Sequence, residues 1–132
     1  DGNVAGASIG DDAIVFARDS LAGPANLFRT GLRGGAAVQL TDFNRERLAD
    51  IRLGAFEQFS FAGADGHTVY GWVVKPWNFV EGQRYPVAFI VHGGPQSSMG
   101  NSFHYRWNAQ TYAGAGYAAV FIDFHGSTGY GQ

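Results

Sequence analysis

The residues with the greatest chemical reach in this sequence sit in two glycine-rich segments, His92-Gly93-Gly94-Pro95 and His125-Gly126-Ser127-Thr128-Gly129-Tyr130-Gly131. Each follows an apolar run, Pro86-Val87-Ala88-Phe89-Ile90-Val91 in one case and Tyr117 to Phe124 in the other. Glycine lets backbone N–H groups approach a ligand atom that any Cβ would push away. The first segment is therefore a candidate oxyanion hole, where one donor aimed at a tetrahedral oxyanion stabilises the transition state by about 3–4 kcal/mol. The bland reading is that Gly93 and Gly94 only turn the chain. His92, at the end of a buried strand, reads better as a structural hydrogen-bonding residue than as an acid or base.

Three other constellations invite chemistry and are set aside on physical grounds. Gly6-Ala7-Ser8-Ile9-Gly10 matches the nucleophile-elbow pattern letter for letter. An elbow needs a buried strand before it and a helix after it, and Ser8 has neither, so this stretch is expected to be a turn. Asp123, His125 and Ser127 could form a local triad, since 123 and 125 share one face of a strand. Triad members come from separated segments, and the expectation is that Asp123 instead binds loop N–H groups. His92, His104 and His125 lack metal-ligand spacing; no metal and no cofactor is expected.

The elements that must hold these loops follow from hydrophobic patterning. The continuous apolar runs ending at Val91 and Phe124 read as strands buried on both faces. Between them about a dozen residues, His104 to Gly116, fit a helix, with Phe103/Trp107 at i,i+4 and a glycine stop. Strand, loop, helix and strand make a βαβ unit with parallel strands and a right-handed crossover. In open sheets of this kind the ligand crevice lies outside the carboxyl ends of the strands, where both glycine loops fall. The aromatics Phe103, Tyr105, Trp107 and Tyr112 are expected to serve core and interdomain packing.

Upstream the pattern is antiparallel. Phe56–Phe61 and Val69–Val74 flank Asp65-Gly66 and read as a hairpin, ended by Lys75-Pro76 because proline cannot donate to a ladder. Ala13–Ala17, Asn26–Thr30 and Ala37–Leu40 are strand-like runs recurring every 10 to 12 residues, with no helical periodicity.

Composition sharpens the division. Residues 1–54 hold 13 of the 20 charged side chains and 3 of the 20 aromatics, so two kinds of material are joined near residue 54. Residues 88–132 carry only Arg106 and Asp123 as charges, far below the roughly 25% of ordinary soluble sequence. Such a segment is expected to be covered by something else, and the 132 residues supply too little to cover it. The chain thus reads as a fragment of a larger protein. A net charge of −2 favours neither nucleic acid nor an anionic membrane as partner. The absence of cysteine excludes disulfides, thiolate metal sites and a cysteine nucleophile. No basic start with an apolar stretch and no apolar run of about 18 residues is read, hence no signal peptide or membrane span.

Taken in order, these motifs resemble the prolyl oligopeptidase family, in its acylaminoacyl peptidase and dipeptidyl peptidase V-like branch. His92-Gly93-Gly94-Pro95 and Gly126-Ser127-Thr128-Gly129-Tyr130-Gly131 look like the start of its catalytic domain; Phe59-Ser60-Phe61, Asp65-Gly66 and Gly71-Trp72-Val73-Val74-Lys75-Pro76 look like the hairpin that opens it. Residues 13–44, through Gln39-Leu40-Thr41-Asp42-Phe43-Asn44, look like a last propeller blade. One departure is His125, where many members carry arginine. The resemblance implies an α/β fold: an α/β-hydrolase sheet, beginning at residue 55, preceded by antiparallel β-propeller-like strands over 1–54. It implies a serine-type exopeptidase acting on short peptides, with Gly94 giving its backbone N–H to the oxyanion and His92 and Gly93 shaping the turn. The Ser, Asp and His of the triad would lie beyond Gln132, the serine in a Gly-x-Ser-x-Gly elbow, so the fragment alone would be inactive. Relatives of this kind are often secreted or periplasmic. The partners implied are a short peptide and the remainder of the parent chain, with a homo-oligomer left open. Two other readings stay open: a carboxylesterase with a His-Gly-Gly loop, and a non-catalytic binding domain complete in itself.

Overall fold

The computed structural model describes residues 1–94 and 96–130. It is mostly β, with two four-stranded sheets and two short helices. The chain divides into two compact units, residues 1–51 with 101–103, and residues 52–100 with 104–132.

The first unit is an antiparallel meander of β1 (Asn3–Ile9), β2 (Ala13–Ser20), β3 (Gly23–Gly31) and β4 (Gly34–Gln39), paired in chain order. β1 corrects the turn expected at Gly6–Gly10: Ser8 is an exposed strand residue opposite Val15, just past a bulge between Ala5 and Ser8. Gly6, with positive φ, lies in that bulge and bends the strand, while Gly10 follows its last residue and turns the chain into β2, its N–H donating to the Ala13 carbonyl. Pro24 lies inside β3, beside the register shift between Arg18 and Ser20, where its missing N–H costs no ladder bond. The core is small: Ala13, Leu21 and Phe28 are buried, Phe16 stacks on Phe28, and the Arg18 guanidinium lies 3.8 Å from the Phe28 centroid. Asn101 Oδ1 accepts from the Leu21 N–H and Asp19 Oδ1 from the Phe103 N–H, so residues 101–103 belong to this unit. One helical turn, α1 (Arg45–Leu48), follows β4, where no helix is expected from periodicity.

The second unit holds a mixed sheet of β5 (Phe56–Ala62), β6 (Thr68–Val74), β7 (Val87–Ile90) and β8 (Ala118–Ile122), in the order β5-β6-β8-β7. β5 and β6 form the expected antiparallel hairpin, turned by a 3-10 segment in which Asp65 and Gly66 take positive φ. β6 stops at Val74, before Lys75-Pro76. β7 and β8 are parallel, joined through α2 (Ala109–Gly114). Ala109 and Ala113, four residues apart on α2, are buried, as are Val74, Ala119 and Phe121 on the strands. Gly71 is required by close approach: a Cβ there would lie 2.6 Å from Phe59 Cζ and 2.8 Å from the Phe121 carbonyl oxygen.

Three expectations about this unit need correction. The helix starts at Ala109, not near His104, because the Asn108 side chain caps it by accepting from the Gln110 N–H. Just before it, His104 Nδ1 accepts from the N–H groups of Arg106 and Trp107 and holds a non-helical turn. Tyr105 and Trp107 are 78% and 51% exposed within these residues, so neither packs in this unit's core, and their expected role in interdomain packing is not addressed by it. Within the described residues β7 is not buried on both faces either: Val87 and Phe89, alternate residues on one face of the strand, are exposed, while Ala88 and Ile90 on the other are half-buried.

Candidate functional site

Parallel pairing of β7 and β8 sends both glycine loops off the same end of the sheet. β6 runs the other way, with Gly71 opposite Ile122, so the hairpin tip carrying His67 lies at that end as well. The loops then bond to each other through a compact polar network. His92 Nε2 is 2.7 Å from Ser127 Oγ, and His92 Nδ1 is 3.0 Å from the Gly93 carbonyl oxygen. A carbonyl only accepts, so the network assigns the hydrogen to Nδ1, and Nε2 accepts from the Ser127 hydroxyl. The His92 ring stacks on Phe124 at 4.4 Å and 16°, and its side chain is 4% exposed.

Asp123 anchors the other side of the first loop. Its Oδ1 accepts from the Met99 N–H and its Oδ2 from the Ser98 hydroxyl. The Thr128 N–H donates to the Ser97 carbonyl, and the Ser127 N–H to that of Phe124. Tyr130 closes the second loop: its hydroxyl accepts from the Tyr70 N–H and donates to the Asp123 carbonyl.

Gly94 has φ of 135°, a conformation that side-chain-bearing residues rarely adopt. A Cβ there would lie 2.9 Å from the Gln96 nitrogen. Among the described residues its N–H makes no hydrogen bond. Pro95 and Gly131, the remaining members of the two motifs, lie outside the described residues.

His92 thus hydrogen-bonds within the two loops, and Asp123 accepts from a loop N–H, that of Met99. The local triad of Asp123, His125 and Ser127 does not assemble: Ser127 turns to His92, while His125 stacks on His67 at 5.8 Å. Nor do His92, Ser127 and Asp123 make a triad. Asp123 Oδ1 approaches at 3.8 Å the same nitrogen, Nε2, that receives the hydroxyl, whereas a triad carboxylate holds the opposite one. Ser127 is also only 4% exposed, out of reach of a substrate carbonyl. Among the described residues no three His, Cys, Asp or Glu side chains gather to hold a metal. Two clefts open in this unit, one of about 530 Å³ beside Phe89, Val91, His92, Gly93, Ser97 and Trp107, the other of about 670 Å³ beside Phe61, His67, Phe124, His125 and Tyr130. Sequence reasoning missed Ser98, Ser127 and Tyr130 as network members, because hydroxyl-bearing residues in a glycine loop carry no periodic signal.

Comparison with known proteins shows that this segment is related to the peptidases of the prolyl oligopeptidase family. Among curated proteins it is similar to dipeptidyl-peptidase 5 of Schizosaccharomyces pombe, 39% identical over 101 residues, which is 74% of this chain and 15% of that protein. Among solved structures it is similar to the acylaminoacyl peptidase of Pyrococcus horikoshii, with a TM-score of 0.80 and 30% identity over 96% of this chain and 20% of that one. An acylaminoacyl peptidase in complex with Z-Gly-Gly-Phe-chloromethyl ketone matches with a TM-score of 0.81 and 30% identity, over 96% of this chain and 19% of that one. The chain therefore spans about a fifth or less of the length of these relatives. No family model matches it.

Proposed function

We propose that this chain is part of a serine-type exopeptidase, of the dipeptidyl or acylaminoacyl kind, acting near the N-terminus of short peptides. In this reading residues 55–132 are the N-terminal part of an α/β-hydrolase catalytic domain and residues 1–54 the end of a β-propeller-like domain. The Gly94 N–H binds the oxyanion of the tetrahedral intermediate, Gly93 and His92 hold its loop, and the serine, aspartate and histidine of the triad come from elsewhere in the parent protein. The observation that carries the reading is Gly94 itself: a glycine-only conformation just past the carboxyl end of β7, with an N–H unbonded among the described residues. The order β5-β6-β8-β7, with the antiparallel hairpin outside the parallel pair, supports the hydrolase assignment. The peptide-like inhibitor carried by one similar peptidase supports the substrate class.

The test is an assay of the full-length protein containing this segment, using dipeptidyl p-nitroanilides, N-acylaminoacyl p-nitroanilides and a simple p-nitrophenyl ester. Hydrolysis of one of the two anilide classes, blocked by a fluorophosphonate, is the expected result. Turnover of the ester alone would replace the peptidase reading by an esterase, and turnover of nothing would remove it.

A further inference from the structure

We infer that Ser127 is a positioning residue for the Gly93–Gly94 peptide, acting through the His92 ring. This rests on the oxyanion reading of Gly94, but its geometry stands by itself.

The chain of contacts has three links. The Ser127 hydroxyl donates to His92 Nε2 at 2.7 Å, which leaves Nδ1 as the protonated nitrogen. Nδ1 lies 3.0 Å from the Gly93 carbonyl oxygen and donates to it. That oxygen and the Gly94 N–H belong to one planar trans peptide, so they point in opposite directions. Holding the carbonyl toward the imidazole therefore turns the Gly94 N–H away from it. Rotation of this peptide would break the Nδ1 bond, and with glycine on both sides nothing steric opposes such rotation.

The surroundings fix the ring but do not choose its tautomer. Phe124 stacks on one face of His92 and sets the plane. Asp123, the nearest acid, is 3.8 Å from Nε2, and its two oxygens already accept from the Met99 N–H and the Ser98 hydroxyl. Were Nε2 to carry the hydrogen instead, the Nδ1 lone pair would face the Gly93 oxygen and repel it. Ser127, 4% exposed, makes no nucleophile, and a hydroxyl buried against a buried ring has this donation as its side-chain partner among the described residues.

The experiment has two readouts on the full-length protein. Long-range proton–nitrogen spectra of histidine-labelled protein, with His92 assigned by a His92→Gln variant, should show the Nδ1–H tautomer. An Nε2–H tautomer would overturn the inference, whatever the Ser127 variants do. In kinetics, Ser127→Ala should lower kcat by about tenfold or more with KM within about twofold, because the donor that Ser127 aims binds a charge that develops only in the transition state. Ser127→Thr, which keeps the hydroxyl, should recover most of the rate. Unchanged kcat in Ser127→Ala, at whatever loss of stability, would reduce Ser127 to a packing residue. Absence of peptidase activity in the unsubstituted protein would defeat the functional reading while leaving the tautomer measurement decisive for the contact.

Discussion

Both ends of the Gln110 carboxamide bond a single residue, Gly54. The Gly54 N–H donates to Oε1 at 2.8 Å, and its carbonyl accepts from Nε2 at 3.0 Å. This pair ties α2 to the strand of chain that leads into β5, and both residues are buried.

Gln110→Leu would fill similar space but strip both backbone groups of their partners. Each unsatisfied buried group costs about 1–3 kcal/mol, so a loss of about 2–4 kcal/mol is expected. Gln110→Glu, which keeps an acceptor for the N–H, should fall between the two. Urea denaturation followed by tryptophan fluorescence measures this, and equal midpoints for all three proteins would contradict it.

Gly71→Ala should cost about 1–3 kcal/mol by overpacking. β6 is paired on both sides, with β5 and β8, so its backbone cannot retreat from Phe59 and the Phe121 carbonyl. A thermal midpoint equal to that of the unsubstituted protein would show that the sheet relaxes there.

Asp123→Ala removes the acceptor for the Met99 N–H and the Ser98 hydroxyl. The loop after β7 should then open locally, at a cost of about 1–3 kcal/mol. Hydrogen exchange reads this directly: the Met99 amide should lose protection in Asp123→Ala and keep part of it in Asp123→Asn. Protection that persists in the alanine variant would mean that another group holds the loop.

Treatment of the full-length protein with a fluorophosphonate, followed by peptide mapping, should label neither Ser8 nor Ser127. Ser8 is on an exposed strand without an elbow, and the Ser127 hydroxyl is buried and bonded to His92. Adduct on either residue would reverse their dismissal as nucleophiles.

What could be read in advance was local. Asp65-Gly66 announces the hairpin because its positive φ values suit few other residue pairs. The apolar runs before His92 and Asp123 announce two strands and a helix between them. The rest depends on partners distant in sequence. Gly6, Ser8 and Gly10 look like a turn until Ser8 is seen to pair with β2 beyond a bulge, and Asn108 is an inconspicuous cap behind a run of aromatics. The parallel pairing of β7 and β8 follows from the strand–helix–strand order, but that Ser127 is the loop residue meeting His92 depends on side-chain placement that no spacing rule announces. Gly94 is marked in the sequence only by its place in His92-Gly93-Gly94-Pro95 and by the resemblance that motif carries, and its φ of 135° belongs to the fold.

The order of the second sheet has a kinetic consequence. β8, made after both of its neighbours, lies between β6 and β7, so Gly71 finds its partner in Ile122 rather than in the strand that follows it. The hairpin can zip as soon as it is synthesised, but the remainder cannot grow by adding neighbours in turn. A premature β6–β7 ladder would have to be undone before β8 could thread into place, and non-local pairings of this sort slow folding. Refolding from denaturant should accordingly show a fast phase for the hairpin and a later one for closure of the central strand.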